Sequence, residues 1–284
     1  MNIRKELASN KAELLHYFRD RTREFIADAS ARYGDKQYKK KARRINKAFK
    51  SSTSTLQKAI NQKAKAENWT TKEQLEVVLL TTYASYIAMI EARHSVWPYE
   101  YMSFSRRIGE LWEPFCKLPF EHPIKELQLF VPPLFTVVKE NLTTEIADFI
   151  DQLEITEADK SQLKQYYQKV WGLVASGEIK LELDLHFIQD GKKYVVDFKS
   201  GFRSNEKGNV NRLLLVASVY QAVEEDYQPT LFVRSEENNN YFQVLAESGT
   251  WNAYAGQAAY AAIKRHSGYN LKTGSIRIFS GKKT

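Results

Sequence analysis

The stretch that decides the fold reads LELDLHF (Leu181–Phe187) and KYVVDFK (Lys193–Lys199), with Asp190-Gly191 between the two runs. Asp-Gly flanked by alternating apolar residues is a strong hairpin signal, because a two-residue type I′ turn needs positive φ at both central positions. A loop of those two residues sets the register. Leu183 then faces Phe198, Leu185 faces Val196 and Phe187 faces Tyr194, so one side of the hairpin is apolar. On the other side Asp184 stands opposite Asp197, and Glu182 stands opposite Lys199. Like charges directly opposed across a ladder destabilise it. Two aspartates built beside a lysine on a sheet therefore point to a bound cation. His186 shares that face and reads as a surface histidine, the alternative being a group that orients a water.

Working outward, the chain of 284 residues is long enough for one large core or two modest ones. Its composition, 43% hydrophobic and 27% charged, is that of an ordinary soluble globular protein. The first residues, MNIRKELASNKAELLHYF, carry charge too densely for a secretory signal. The longest apolar stretch, Leu75 to Ile90, reads as too short to span a bilayer. A single cysteine, Cys116, excludes an intrachain disulfide and fits a cytoplasmic location. The five histidines are scattered and offer no zinc-ligand spacing. Net charge is +8, and it is unevenly placed. Lys36, Lys39, Lys40, Lys41, Arg43, Arg44, Lys47 and Lys50 follow one another with no acid among them. Such a block suits nucleic-acid phosphates, with Lys40, Arg43 and Arg44 as candidate contacts; the alternative is a solvated helix face.

Residues 1–66 read as helical and basic, and Thr70 with Glu73 makes a capping box before a long, buried helix over 71–92. A helix over 103–117 follows, then a proline-broken loop or edge segment over 130–138, helix over 139–176 and the hairpin over 178–199. Arg212–Ala222 reads as a helix, Thr230–Arg234 and Tyr241–Leu245 as strands around an Asn-rich turn, 251–265 as a helix and Ser275–Phe279 as a last strand. Helices first, then strands with interspersed helices, give an α/β chain: a mixed β-sheet core flanked by helices, with a helical N-terminal region. The expected division is a basic helical region over 1–95 packed on a core over 96–284, as one continuous domain.

Two adjacent aspartates offer hard oxygen ligands, and magnesium takes one or two carboxylates while keeping several waters. Lys199 lies on the same face as Asp197, about 7 Å along the strand. A divalent ion and an ammonium together lower the pKa of a bound water and stabilise charge developing on phosphate oxygens. Asp184, a gap of twelve residues, then Asp197-Phe198-Lys199 resembles the PD-(D/E)xK nuclease superfamily. Leu183 stands where that motif has proline. Gly109-Glu110-Leu111-Trp112-Glu113 resembles the upstream helix of the superfamily, which favours Glu113 as a further carboxylate, with Glu110 as the alternative. Trp112 should then point to the core.

The resemblance implies a restriction-endonuclease-like fold. It implies one or two Mg2+ bound by Asp184, Asp197 and the Phe198 carbonyl, with Lys199 activating water and Glu113 assisting. It also implies a type II, site-specific endonuclease of double-stranded DNA that leaves 5′-phosphate ends and acts as a homodimer. The alternatives are a repair or recombination nuclease, or a non-catalytic basic nucleic-acid-binding protein. Downstream, Arg203, Asn205, Lys207, Asn209, Asn211 and Arg212 have the side chains suited to base edges and phosphates. No Walker loop or Gly-rich fingerprint is present, so no nucleotide cofactor is expected.

Overall fold

The structure is a computed structural model and describes residues 10–174, 181–203, 207–223 and 226–274. Three long helices come first. In α1 (Lys11–Arg32) the Asn10 side chain accepts the amides of Ala12 and Glu13. α2 spans Tyr38–Ala66 and α3 spans Thr71–Val96. The start signal at Thr70 is a complete capping box: its hydroxyl accepts the Glu73 N–H, and the Glu73 carboxylate accepts the Thr70 N–H. α3 is buried on most faces because α1 and α2 both pack on it. Leu14, Phe18, Ile45, Phe49, Ile60, Leu75 and Leu79 fill the space between the three helices. The Arg19–Glu91 and Arg44–Asp28 ion pairs tie their edges.

α3 runs past the apolar stretch read from the sequence. At 26 residues it is long and apolar enough, by length and composition, to cross a membrane. In the fold 67% of its most apolar window is buried. α3 also packs on α5 (Trp112–Glu121), which follows the short α4 (Tyr101–Glu110). The single helix expected over 103–117 is thus two, broken at Leu111. Pro114 falls in the first turn of α5, where a missing N–H leaves no bond unmade.

The sheet contains β1 (Gln128–Leu129), β2 (Leu185–Gln189), β3 (Lys192–Lys199), β4 (Tyr227–Val233) and β5 (Asn252–Ala255), in that spatial order. β1, β2 and β3 pair antiparallel, whereas β3, β4 and β5 pair parallel. α6 (Phe135–Asp151) and α7 (Glu157–Val174) lie between β1 and β2 in the chain. α8 (Lys207–Val223) links β3 to β4, α9 (Asn240–Glu247) links β4 to β5, and α10 (Gly256–Ser267) follows. Ten helices and an open five-stranded mixed sheet, among the described residues, make this an α/β protein.

The hairpin forms as its sequence dictates. Asp190 and Gly191 have φ of 51° and 74°, and Leu185 pairs with Val196 and Phe187 with Tyr194. Its two faces differ from the expectation. Leu185, Phe187, Val196 and Phe198 pack towards α5 and α10, but the opposite face is also buried, beneath α8. Val195, Leu231 and Val233 meet Val210, Leu213, Val216 and Tyr220 there. Leu183 joins this second cluster rather than facing Phe198, because β2 begins only at Leu185 and the alternation ends there.

Three further expectations change. Tyr241–Leu245 lies in α9 rather than in a strand, since the Asn239 side chain accepts the Tyr241 N–H and starts a helix. The helix expected over 251–265 begins at Gly256, after β5. α8 begins at Lys207, so the polar stretch after Lys199 is helical from Lys207 to Arg212. The strand expected at Ser275–Phe279 lies outside the described residues.

Because Gly191 sits at φ 74°, Gly191→Val should destabilise the hairpin by about 1 kcal/mol or more. Equilibrium urea unfolding measures this, and an unchanged midpoint would contradict the turn geometry.

Candidate active site

Asp197 sits near the end of β3, on the face covered by α8 and in register with Leu231 of β4. It is 2% exposed. Lys199 Nζ lies 2.6 Å from Asp197 Oδ2, and Arg212 Nη2 of α8 lies 3.6 Å from Oδ1. The Lys199 contact is a close approach of charges outside hydrogen-bond geometry, so Oδ2 is a buried acceptor without a hydrogen bond. Buried polar atoms are normally satisfied by hydrogen bonds, and here the Lys199 ammonium answers the Oδ2 charge by proximity alone.

Asp184 precedes β2 by one residue. The last ladder pair is Leu185 with Val196, so the direct opposition of Asp184 and Asp197 expected from the register is not made. Instead Asp184 Oδ2 accepts the Phe198 N–H at 2.7 Å, closing the end of the ladder with a side chain. Repulsion between the buried Asp197 and the partly buried Asp184 favours this departure. The pair still interact. Burial pushes the Asp184 carboxyl up, the Asp197 charge pushes it further, and the total effect carries it to about 6, with the Phe198 amide pulling the other way. The expected Glu182–Lys199 pairing is absent because Lys199 turns to Asp197.

Two groups hold the segment that leads into Asp184. The Tyr220 hydroxyl of α8 donates to the Leu181 carbonyl at 2.7 Å, and the Leu183 N–H donates to His186 Nε2 at 3.4 Å. His186 is buried between Phe130 and Tyr220, not on the surface, because α8 covers this face. Burial lowers its pKa to about 4, so it is neutral and anchors backbone rather than water. Neither Tyr220 nor the role of His186 was visible in the sequence, since both depend on α8 folding back over β2.

Glu113 lies in the first turn of α5 and pairs with Lys117 at 2.7 Å. Its charge adds to the upward push on Asp184, which places it within electrostatic reach of the site. Glu110 turns to Arg106 and Arg107 instead. Trp112 is buried as expected, edge-on to Tyr260. A Cβ on Gly109 would stand 3.0 Å from Ser200 Oγ, so this glycine lets α4 approach the residue that follows Lys199.

Of the candidate DNA contacts, Lys207, Asn209, Asn211 and Arg212 lie on α8 and not in a loop. Arg212 is shared with Asp197. Arg203 donates to Ser235 Oγ at 3.1 Å. Asn205 lies outside the described residues. Lys40, Arg43 and Arg44 lie on α2 in the helical bundle. The Phe198 side chain packs in the core on the far face of the sheet, and its amide is held by Asp184. Asn238, read only as a turn residue, accepts the Phe202 N–H and donates to the Ser235 carbonyl, joining the loops after β3 and β4.

Asp184 ionises less readily when folded than when unfolded, so its contribution to stability is present below about pH 4 and is lost as pH rises through about 6. Asp184→Asn should therefore stabilise the metal-free protein at pH 8, on the order of 2 kcal/mol, and have little effect near pH 4. Urea unfolding at the two pH values reads the difference directly. Equal effects at both would contradict the burial of this charge.

Among the described residues no group of three or more His, Cys, Asp or Glu side chains is arranged to hold a metal. Asp184 and Asp197, whose Oδ2 faces the Lys199 ammonium without a hydrogen bond, instead fit the open magnesium mode, in which one or two carboxylates leave the remaining positions to water and substrate oxygens. Compared with known proteins, the chain matches no family model, no curated protein and no solved structure.

Proposed function

We propose that this chain is a magnesium-dependent endonuclease of double-stranded DNA, with Asp184, Asp197 and Lys199 at its centre and Glu113 assisting. The finer reading is a homodimeric, cytoplasmic type II restriction enzyme with a restriction-endonuclease-like fold of the PD-(D/E)xK kind. The observation that carries the reading is the convergence, at the end of β3, of a buried carboxylate with an unbonded oxygen, a second carboxylate of raised pKa and a lysine 2.6 Å away. The hairpin, together with the Asp184 bond to the Phe198 amide that brings the first aspartate to the end of β3, supports the resemblance of their sequence spacing.

A magnesium ion held by the Asp184 and Asp197 carboxylates would supply activation of water and neutralisation of charge on the reacting phosphate. The residues themselves do the rest. The Lys199 ammonium, now against Asp197 Oδ2, is placed to donate to a phosphate oxygen or to the attacking water once that oxygen is otherwise engaged. Glu113, paired with Lys117 and within electrostatic reach of Asp184, would assist from the α5 side. Arg212 stabilises the buried Asp197 charge from α8. A proton on Asp184 competes with any cation, so activity should fall as pH drops through about 6.

The test is digestion of phage or plasmid DNA with magnesium, followed by sequencing of the fragment ends. Asp184→Ala, Asp197→Ala and Lys199→Ala should each lower cleavage by at least about 100-fold while duplex binding persists. A fully active Asp197→Ala protein sinks the proposal. Discrete bands support site specificity, whereas a smear or branch-selective cutting supports the repair or recombination alternative. No cutting by wild type under these conditions leaves the Asp197–Lys199–Arg212 cluster as a structural ion network.

A further inference from the structure

The basic run that opens α2 forms a cleft. Lys40, Arg43, Arg44 and Lys47 share one face of α2 at helical spacing, and with Tyr33, just beyond α1, they line a shallow, open cleft of about 300 Å³. The local charge is unbalanced. The first turn of α2 contains no acid, and Gln37 provides no side-chain cap. Lys39 and Lys40 therefore stand exposed at the positive end of the helix dipole, where each exposed cation is unfavourable by about 0.3–1 kcal/mol, whereas Lys41 is buried. The nearby acids are already engaged: Asp28 binds Arg32 and Arg44, and Asp35 faces Lys41 at 3.6 Å. Lys40, Arg43 and Lys47 have no ion-pair partner among the described residues.

We infer that this cleft grips the sugar-phosphate backbone of duplex DNA at a point separate from the bond being cut. A polymer fits better than a small anion because the charge continues beyond the cleft. From Lys39 to Lys50 the exposed cations extend along about 16 Å of helix, several phosphate spacings. The bundle that carries the cleft meets the sheet through α3 and α5, the helix of Glu113. The bundle and the sheet that carries the candidate catalytic centre share one apolar cluster, so DNA held here is held by a packed neighbour of that centre. The choice of duplex DNA as the polyanion rests on the proposed nuclease function.

The experiment is equilibrium binding of a 30-bp duplex without magnesium, over a series of salt concentrations. The Lys40→Ala/Arg43→Ala/Lys47→Ala protein should bind roughly 10–100-fold more weakly than wild type. The slope of log affinity against log salt should be shallower by roughly 2–3. A Lys40→Arg/Lys47→Arg protein should keep wild-type affinity and slope. Wild-type affinity and slope in the triple variant would overturn the inference, as would an equal loss in the arginine variant. Wild type that binds inorganic polyphosphate but not the duplex would also overturn it. Wild type that binds the duplex through these residues yet never cuts it with magnesium supports this site and contradicts the nuclease proposal.

Discussion

A carboxylate removed from water at the end of an inner strand must be answered by charge, and Asp197 sets this constraint for the whole centre. Desolvating an unpaired ion costs several kcal/mol, more than the surrounding packing can ignore. Lys199 on the same strand and Arg212 on α8 supply opposite charge from two directions. Asp184 cannot occupy the register position directly across without adding a second dry negative charge. It leaves the ladder and takes the Phe198 amide instead. The result is a site in which one carboxylate is held by cations, while the other stands at a pKa near 6.

This arrangement needs both layers around the sheet. α8 supplies Arg212 and the Tyr220 bond that fixes the chain before Asp184, while α5 supplies Glu113 from the opposite layer. Gly109 permits the close approach of α4 to the residue after Lys199. α3 then connects α5 to the basic helices, so the charged bundle and the sheet share one apolar cluster.

The local features were legible in the sequence because their causes are local. Asp190-Gly191 dictates its turn and thereby the pairing of Leu185 with Val196. Thr70 and Glu73 dictate the start of α3. The convergence of Asp197 and Lys199 follows from strand alternation alone. What was not legible depends on distant chain. Alternation could not show that the face carrying His186 and Asp197 is roofed by α8, or that Leu183 crosses to that face. The segment Tyr241–Leu245 has strand-like residues, and its helix is decided by the Asn239 cap rather than by its own composition. Arg212 looked like a base-reading residue from its neighbours in sequence. Only the fold shows it facing Asp197.

The central claim is that Asp184 and Asp197 together hold a divalent cation, and calorimetric titration of magnesium at pH 8 tests it most directly. Wild type is predicted to bind magnesium, and Asp197→Asn, which keeps the shape but removes the buried charge, is predicted to bind none at the site. Identical titrations of the two proteins would contradict the claim.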